Sequence, residues 1–172
     1  YTAAVEAMVV TVDRGRFRCL LDDDTIVTTT KARSLGRTGV IVGDRVRLVG
    51  DTTGDEGTLA RIVEVQERET VLRRTADDDD PFERPIVANA DQLVIVAALA
   101  DPPPRVGMID RILVAAYDAG LEPLLVLTKA DLADPDGLMA TYRPLGLTVV
   151  AVEPGSDLGE LRDALRGHHS VL

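Results

Sequence analysis

Two apolar runs without a polar break, QLVIVAAL at 92–99 and PLLVLT at 123–128, stand one helix apart in this chain. A strand that is apolar at every position must be covered on both faces, which is the condition of a parallel sheet flanked by helices. Between the runs, MIDRILVAAYDAG at 108–120 repeats its apolar residues at helical spacing and stops at Gly120. The same alternation continues downstream. GLMATYR at 137–143 predicts a short helix, LTVVAV at 147–152 a third strand, and DLGELRDALRG at 157–167 a helix capped by Ser156 and ended by Gly167. HHSVL at 168–172 opens a fourth strand. Strand and helix in strict alternation predict a doubly wound α/β domain, whose ligands bind in loops at the carboxyl ends of the strands.

Upstream of residue 75 the period changes to two. MVVTV (8–12), RFRCLL (16–21), TIVTTT (25–30), GDRVRL (43–48) and TLARIVEVQ (58–66) read as short strands divided by turn residues. Phe17, Cys19 and Leu21 share one face, Arg16 and Arg18 the other; Val46 and Leu48 face in, Arg45 and Arg47 out. Five short strands in so few residues predict a small closed barrel of the oligonucleotide-binding type (OB-fold), which takes RNA or single strands on one sheet face and its loops. Cys19 is the only cysteine, so no disulfide is available, and it reads as a small buried hydrophobe. TADDDDPFERP at 75–85 has an acidic run, two prolines and no period. The expected boundaries are therefore a barrel at 1–75, a linker at 76–88 and the α/β part at 89–172.

Charge separates the same two halves. The formal net charge is −10, and all of it lies in 76–172, because acidic and basic residues balance over 1–75. A polyanion is best received in the first third, where Arg14, Arg16, Arg18, Arg45 and Arg47 are the outward-facing candidates. No aromatic pair accompanies them, so they are expected to contact phosphates rather than stack on bases. The adjacent His168 and His169 point to opposite sides of a strand and predict no metal site. No apolar run reaches eighteen residues, so no membrane span is expected.

The chain holds two lysines, Lys31 and Lys129, among nineteen basic residues. Lys129 falls in Thr128-Lys129-Ala130-Asp131, just after the buried run PLLVLT. A carboxylate fixed at such a strand end can accept two parallel hydrogen bonds from the N1–H and 2-amino group of guanine. Adenine has no such donor pair, and a buried acceptor left unpaired rejects it strongly. The apolar stem of Lys129 can lie over base and ribose with its ammonium hydrated.

These residues are the centre of a longer likeness. VGDRVRL, IVEVQERETVLRRT, PIVANADQLVIVAAL, MIDRILVAAYDAGLEPLLVLTKADL and GSDLGELRDALRG follow in an order that resembles the ribosome small-subunit-dependent GTPases, the RsgA or YjeQ family, over nearly the whole chain. The resemblance implies an OB-fold barrel, then a circularly permuted P-loop GTPase domain in which the guanine loop precedes the phosphate loop, then a zinc-binding domain. It implies a cytoplasmic, monomeric GTP hydrolase that binds the 30S subunit and its 16S rRNA, acts in late subunit maturation and is stimulated by the subunit. Thr128, Lys129 and Asp131 match the guanine-recognition set, with threonine where the family usually has asparagine. The second base-contacting loop falls at Ala151-Val152-Glu153, where only the backbone of Ala151 and Val152 is expected near the base. Mg2+ and structural Zn2+ are implied for the intact protein, with ligands outside these residues.

No Gly-X-X-X-X-Gly-Lys-[Ser/Thr] occurs in the 172 residues, and neither lysine is placed to serve one. Tyr1 and the unfinished apolar end predict a piece of a longer protein, inactive by itself, whose phosphate loop follows within about ten residues of Leu172, an ordinary strand length. The alternative is an RNA-binding OB-fold module joined to an α/β domain that does not hydrolyse GTP. A third reading, a protein partner for the acidic half, has charge alone behind it.

Overall fold

The computed structural model describes residues 4–75 and 83–172. They fall into two compact units, Tyr1–Asn89 and Ala90–Leu172.

The first unit is a closed barrel of β1 (Val5–Asp13), β2 (Arg16–Leu20), β3 (Ile26–Lys31), β4 (Arg45–Gly50) and β5 (Ala60–Val65) in the order β1-β2-β3-β5-β4. β1 starts earlier than its apolar run suggests because it serves two partners. Val5–Met8 pair with β4, and Met8–Asp13 pair with β2, with a register shift between Val9 and Thr11 where the strand passes from one to the other. An irregularity of this kind bends a strand and lets it close a barrel. Arg14 (φ 43°) and Gly15 (φ 84°) make the tight turn into β2. Alternation then does the rest: Val9, Cys19, Val27, Val46, Leu48, Ala60 and Ile62 are fully buried and form the centre of the core. Each larger one contributes about 1.5–3 kcal/mol on leaving water.

Cys19 is one of these core residues. Its Sγ lies 3.4 Å from Thr29 Oγ1, and burial pushes the thiol above its ordinary pKa, so it is packing rather than a nucleophile.

Beyond the barrel, β6 (Val71–Thr75) and β7 (Glu83–Ala88) pair antiparallel. The stretch expected as linker at 76–88 thus ends in a strand; its acidic run lies outside the described residues. The end of β7 is held to the barrel through backbone and the Asn89 side chain, and beside it the segment after β5 is held by one buried charge. Ala88 N donates to Val42 O at 2.9 Å, and Asn89 Nδ2 donates to Gly43 O at 2.9 Å. Asp44, wholly buried, accepts from Ile41 N and from Arg68 Nε and Nη2 at 2.7–3.0 Å. That pairing holds the Arg68 guanidinium above its ordinary pKa. A buried carboxylate with all these donors satisfied is tolerated; one stripped of its arginine is not.

The second unit is a parallel four-stranded sheet in the order β10-β9-β8-β11, from β8 (Gln92–Ala98), β9 (Glu122–Thr128), β10 (Thr148–Ala151) and β11 (Ser170–Val171). α1 (Val106–Asp118) and α2 (Asp136–Tyr142) share a core with Ile95, Ala97, Leu125, Leu127 and Val149. On the other face α3 (Gly159–Leu165) sets Leu161, Ala164 and Leu165 against Val94, Leu124, Val126 and Val150. The two-sided cover explains the unbroken apolar runs. Tyr142 is 1% exposed and donates its hydroxyl to Asp110 Oδ1 at 2.8 Å, tying α2 to α1. Ser156 does not cap α3. Its hydroxyl donates to Glu153 O at 2.8 Å, closing a turn, while Asp157 Oδ1 accepts from Gly159 N at 3.0 Å. A carboxylate one residue nearer the helix outcompetes the hydroxyl for that N–H.

Candidate guanine loop and basic barrel face

At the carboxyl end of β9 the chain leaves the sheet through Thr128–Asp131, and backbone bonds on both sides fix its course. Leu99 N, past the end of β8, donates to Thr128 O at 2.9 Å. Ala130 N donates to Val152 O at 3.2 Å, and Val152 N donates to Leu127 O at 2.8 Å. Leu132 N returns to Lys129 O at 3.0 Å, closing the loop as a turn. The loop therefore lies between the ends of β8 and β10, and the segment Ala151–Val152 is bonded directly to it.

Within this frame the three side chains differ. The Asp131 carboxylate is exposed and has no hydrogen-bond or ion-pair partner among the described residues, so its two oxygens are open to a donor pair. Thr128 is half-buried, and its hydroxyl makes no hydrogen bond among the described residues. Lys129 adopts φ 60° and sends its ammonium back to the neighbouring strand end, donating to Ala100 O at 3.0 Å and Asp101 O at 2.6 Å. The ammonium expected to stay hydrated is thus held by backbone carbonyls. Glu153, after Val152, is exposed and engaged only through its backbone with Ser156.

The five arginines expected on the barrel divide into two sets. Arg45 Nη1 bonds Glu69 Oε1 at 2.7 Å, and Arg47 Nη1 bonds Glu64 Oε2 at 3.3 Å, so both β4 arginines already face carboxylates. Arg14, in the hairpin turn, and Arg16 and Arg18, on β2, are exposed and form no ion pair among the described residues. Register extends this second set. Arg16 stands opposite Thr30 of β3, Thr30 opposite Arg61 of β5, and Arg18 opposite Thr28. Arg61, also exposed and without an ion pair among the described residues, completes a row of arginine, threonine and arginine across three strands. It was discoverable from the alternation of TLARIVEVQ, which puts Arg61 outward between the buried Ala60 and Ile62. Its place beside β3 depends on a parallel pairing that no local pattern encodes.

His168 and His169 meet one carboxylate rather than a metal-type cluster. His168 Nδ1 lies 3.1 Å from Asp91 Oδ1, and His169 N donates to the same oxygen at 3.0 Å. No group of three metal-ligating side chains occurs among the described residues.

An OB-type barrel followed by a parallel α/β sheet with Thr-Lys-Ala-Asp at a strand end is the fold of the circularly permuted GTPases. The structure is similar to that of YjeQ from Thermotoga maritima, with a TM-score of 0.74 and 26% identity over 98% of this chain and 59% of that one. It also shares its fold with YloQ, a circularly permuted GTPase, at a TM-score of 0.69 over 95% of this chain and 56% of that one. The RsgA GTPase family model matches residues 65–172, and the chain belongs to that family. A small ribosomal subunit biogenesis GTPase RsgA from Pseudomonas aeruginosa is 37% identical over 141 residues. The relative of the same name from Pseudomonas syringae pv. tomato is 41% identical over 141 residues. The alignments cover 77% of this chain and 39–40% of those relatives, so the chain spans well under half their length.

Proposed function

We propose that these residues are the barrel and guanine-recognition part of a GTP hydrolase that binds the small ribosomal subunit and assists its late maturation in the cytoplasm. The observation that carries the reading is the open Asp131 carboxylate, set by backbone bonds between the ends of β8 and β10 beside Ala151–Val152. That arrangement offers two acceptor oxygens at a fixed place, and the relatives named as small-subunit biogenesis GTPases support guanine as the base that meets them. Asp131 selects the base, the Lys129 stem lies along it, and the backbone of Ala151 and Val152 borders it. Phosphate binding belongs to a Gly-X-X-X-X-Gly-Lys-[Ser/Thr] loop outside these residues, since backbone N–H groups must cradle the phosphates. Mg2+, which would neutralise charge on the phosphates, and Zn2+ are assigned no ligand here.

On the barrel, Arg14, Arg16, Arg18 and Arg61 with Thr28 and Thr30 form the proposed contact with 16S rRNA phosphates. Arg45 and Arg47 contribute less, because an incoming phosphate must displace Glu69 and Glu64. No helix among the described residues is long and apolar enough to cross a membrane. The test is GTP hydrolysis by the full-length protein, measured with and without 30S subunits. Hydrolysis that rises by at least about tenfold with subunits supports the reading, a threshold well below the roughly 10³–10⁵-fold that trans-acting activation can give a GTPase. Subunit binding without any hydrolysis would leave an RNA-binding module in its place.

A further inference from the structure

The chain's two lysines have the same task. Lys31 Nζ donates to Gly36 O at 2.9 Å and Thr38 O at 2.8 Å, and Lys129 Nζ donates to Ala100 O at 3.0 Å and Asp101 O at 2.6 Å. The arginines that are engaged mostly meet carboxylates instead: Arg68 with Asp44, Arg45 with Glu69, Arg47 with Glu64. An ammonium is a compact charge with rotatable donors and fits between two converging carbonyls, whereas the planar guanidinium fork matches a carboxylate. Lysine at 129 therefore has a reason that base stacking alone does not supply.

The backbone is bent to make this cradle. Lys129 sits at φ 60° and Asp101 at φ 44°, a left-handed region that non-glycine residues seldom occupy and that persists only where the surroundings impose it. The two residues lie past the ends of adjacent strands β9 and β8, and α1 begins at Val106, just after the loop. Among the described residues no other side chain donates to the carbonyls of Ala100 or Asp101. The strap is the side-chain tie between the base loop and the segment that leads into α1.

We propose that Lys129 is a positioning residue that straps Ala100–Arg105 to the guanine loop, making that segment a wall of the nucleotide site. Its effect on nucleotide affinity rests on the guanine-site reading; the strap itself does not. A base lying on the Lys129 stem restricts the side chain that holds the strap, so loop order and nucleotide binding are linked, and each favours the other.

The test uses full-length protein, isotopically labelled, as wild type, Lys129→Met, Lys129→Arg and Asp131→Asn. Backbone order parameters of the Ala100 and Asp101 amides are read without nucleotide, and GDP and ADP affinities are then titrated. Methionine keeps the apolar stem but loses the ammonium; arginine keeps the charge but not its compact shape. Both should drop the two amides from about 0.85, the value of rigid backbone, towards about 0.6 or below. Asp131→Asn should leave them rigid. Lys129→Met should bind GDP roughly tenfold more weakly, as loss of a charge-assisted hydrogen bond implies, while still preferring GDP to ADP. Rigid amides in Lys129→Met would overturn the strap, and rigid amides in Lys129→Arg would overturn the ammonium-specific cradle. Equal loosening in Asp131→Asn would show that the loop answers to the base loop as a whole and not through Lys129. If Lys129→Met loosens the loop but wild-type protein does not distinguish GDP from ADP, the strap stands and the guanine reading fails.

Discussion

Gly43 shows how closely a single position can be specified. It has φ +88°, and a Cβ there would lie 1.8 Å from Ala88 O, where β7 meets the barrel. Gly43→Ala must both strain a left-handed residue and push β7 away. It should lower stability by on the order of 3 kcal/mol, read by chemical denaturation. Tyr142 is a second such position. Burial, with the hydrogen bond to Asp110 and that carboxylate's charge, pushes its phenol from its ordinary 10.0 up to about 12. A raised folded-state pKa gives stability that is whole below about pH 10 and lost as pH climbs through 12. Tyr142→Phe should therefore be less stable than wild type at neutral pH by about 1 kcal/mol, the worth of one hydrogen bond. Its deficit should shrink across pH 10–12, because only wild type has a buried phenol to ionise there. Denaturation midpoints of both proteins along that pH series check this, and parallel curves would refute it.

At the scale of elements, the strands of the barrel sort its arginines. β4 delivers Arg45 and Arg47 to glutamates of neighbouring segments, while β2 and β5 leave Arg16, Arg18 and Arg61 without ion pairs among the described residues. If the β2–β3–β5 face meets phosphates, replacing Arg16, Arg18 and Arg61 with alanine should flatten the log–log salt dependence of small-subunit binding by up to about three units. Replacing Arg45 and Arg47 should change the slope less, since each already shares its charge with a carboxylate. Filter binding over a salt series with the intact subunit separates the two. A larger change from the β4 pair would place the RNA surface on the opposite strands.

For the molecule as a whole, what was legible in the sequence is what local chemistry encodes. The change of period near residue 75 is written in side-chain alternation, whereas the two compact units divide at Asn89–Ala90, with β6 and β7 in the first. Phe17, Cys19, Val46 and Leu48 face the barrel core for the same reason. Thr128–Asp131 fell at a strand end because an apolar run must stop where its loop begins. What stayed hidden depends on residues far apart in the chain. Asp44 reads as a turn residue, and only folding brings Arg68 to its carboxylate and Asn89 to its neighbour Gly43. The ion pairs of Arg45 and Arg47, the pairing of Arg61 with Thr30, and β7 at 83–88 are long-range in the same sense. Ser156 reads as a cap in the sequence, yet the neighbouring Asp157 is the better acceptor and takes the Gly159 N–H. The strand-end position of Lys129 is legible in the sequence and the setting of its ammonium is not, since the carbonyls that hold it belong to a different loop. Whether Asp131 chooses guanine is tested most directly by competition titrations with GTP, XTP and ATP on full-length wild type and Asp131→Asn. The asparagine variant exchanges one acceptor for a donor, so GTP should bind more weakly by about 2–4 kcal/mol while XTP gains, with ATP weak in both proteins. Unchanged GTP affinity in Asp131→Asn would contradict the account.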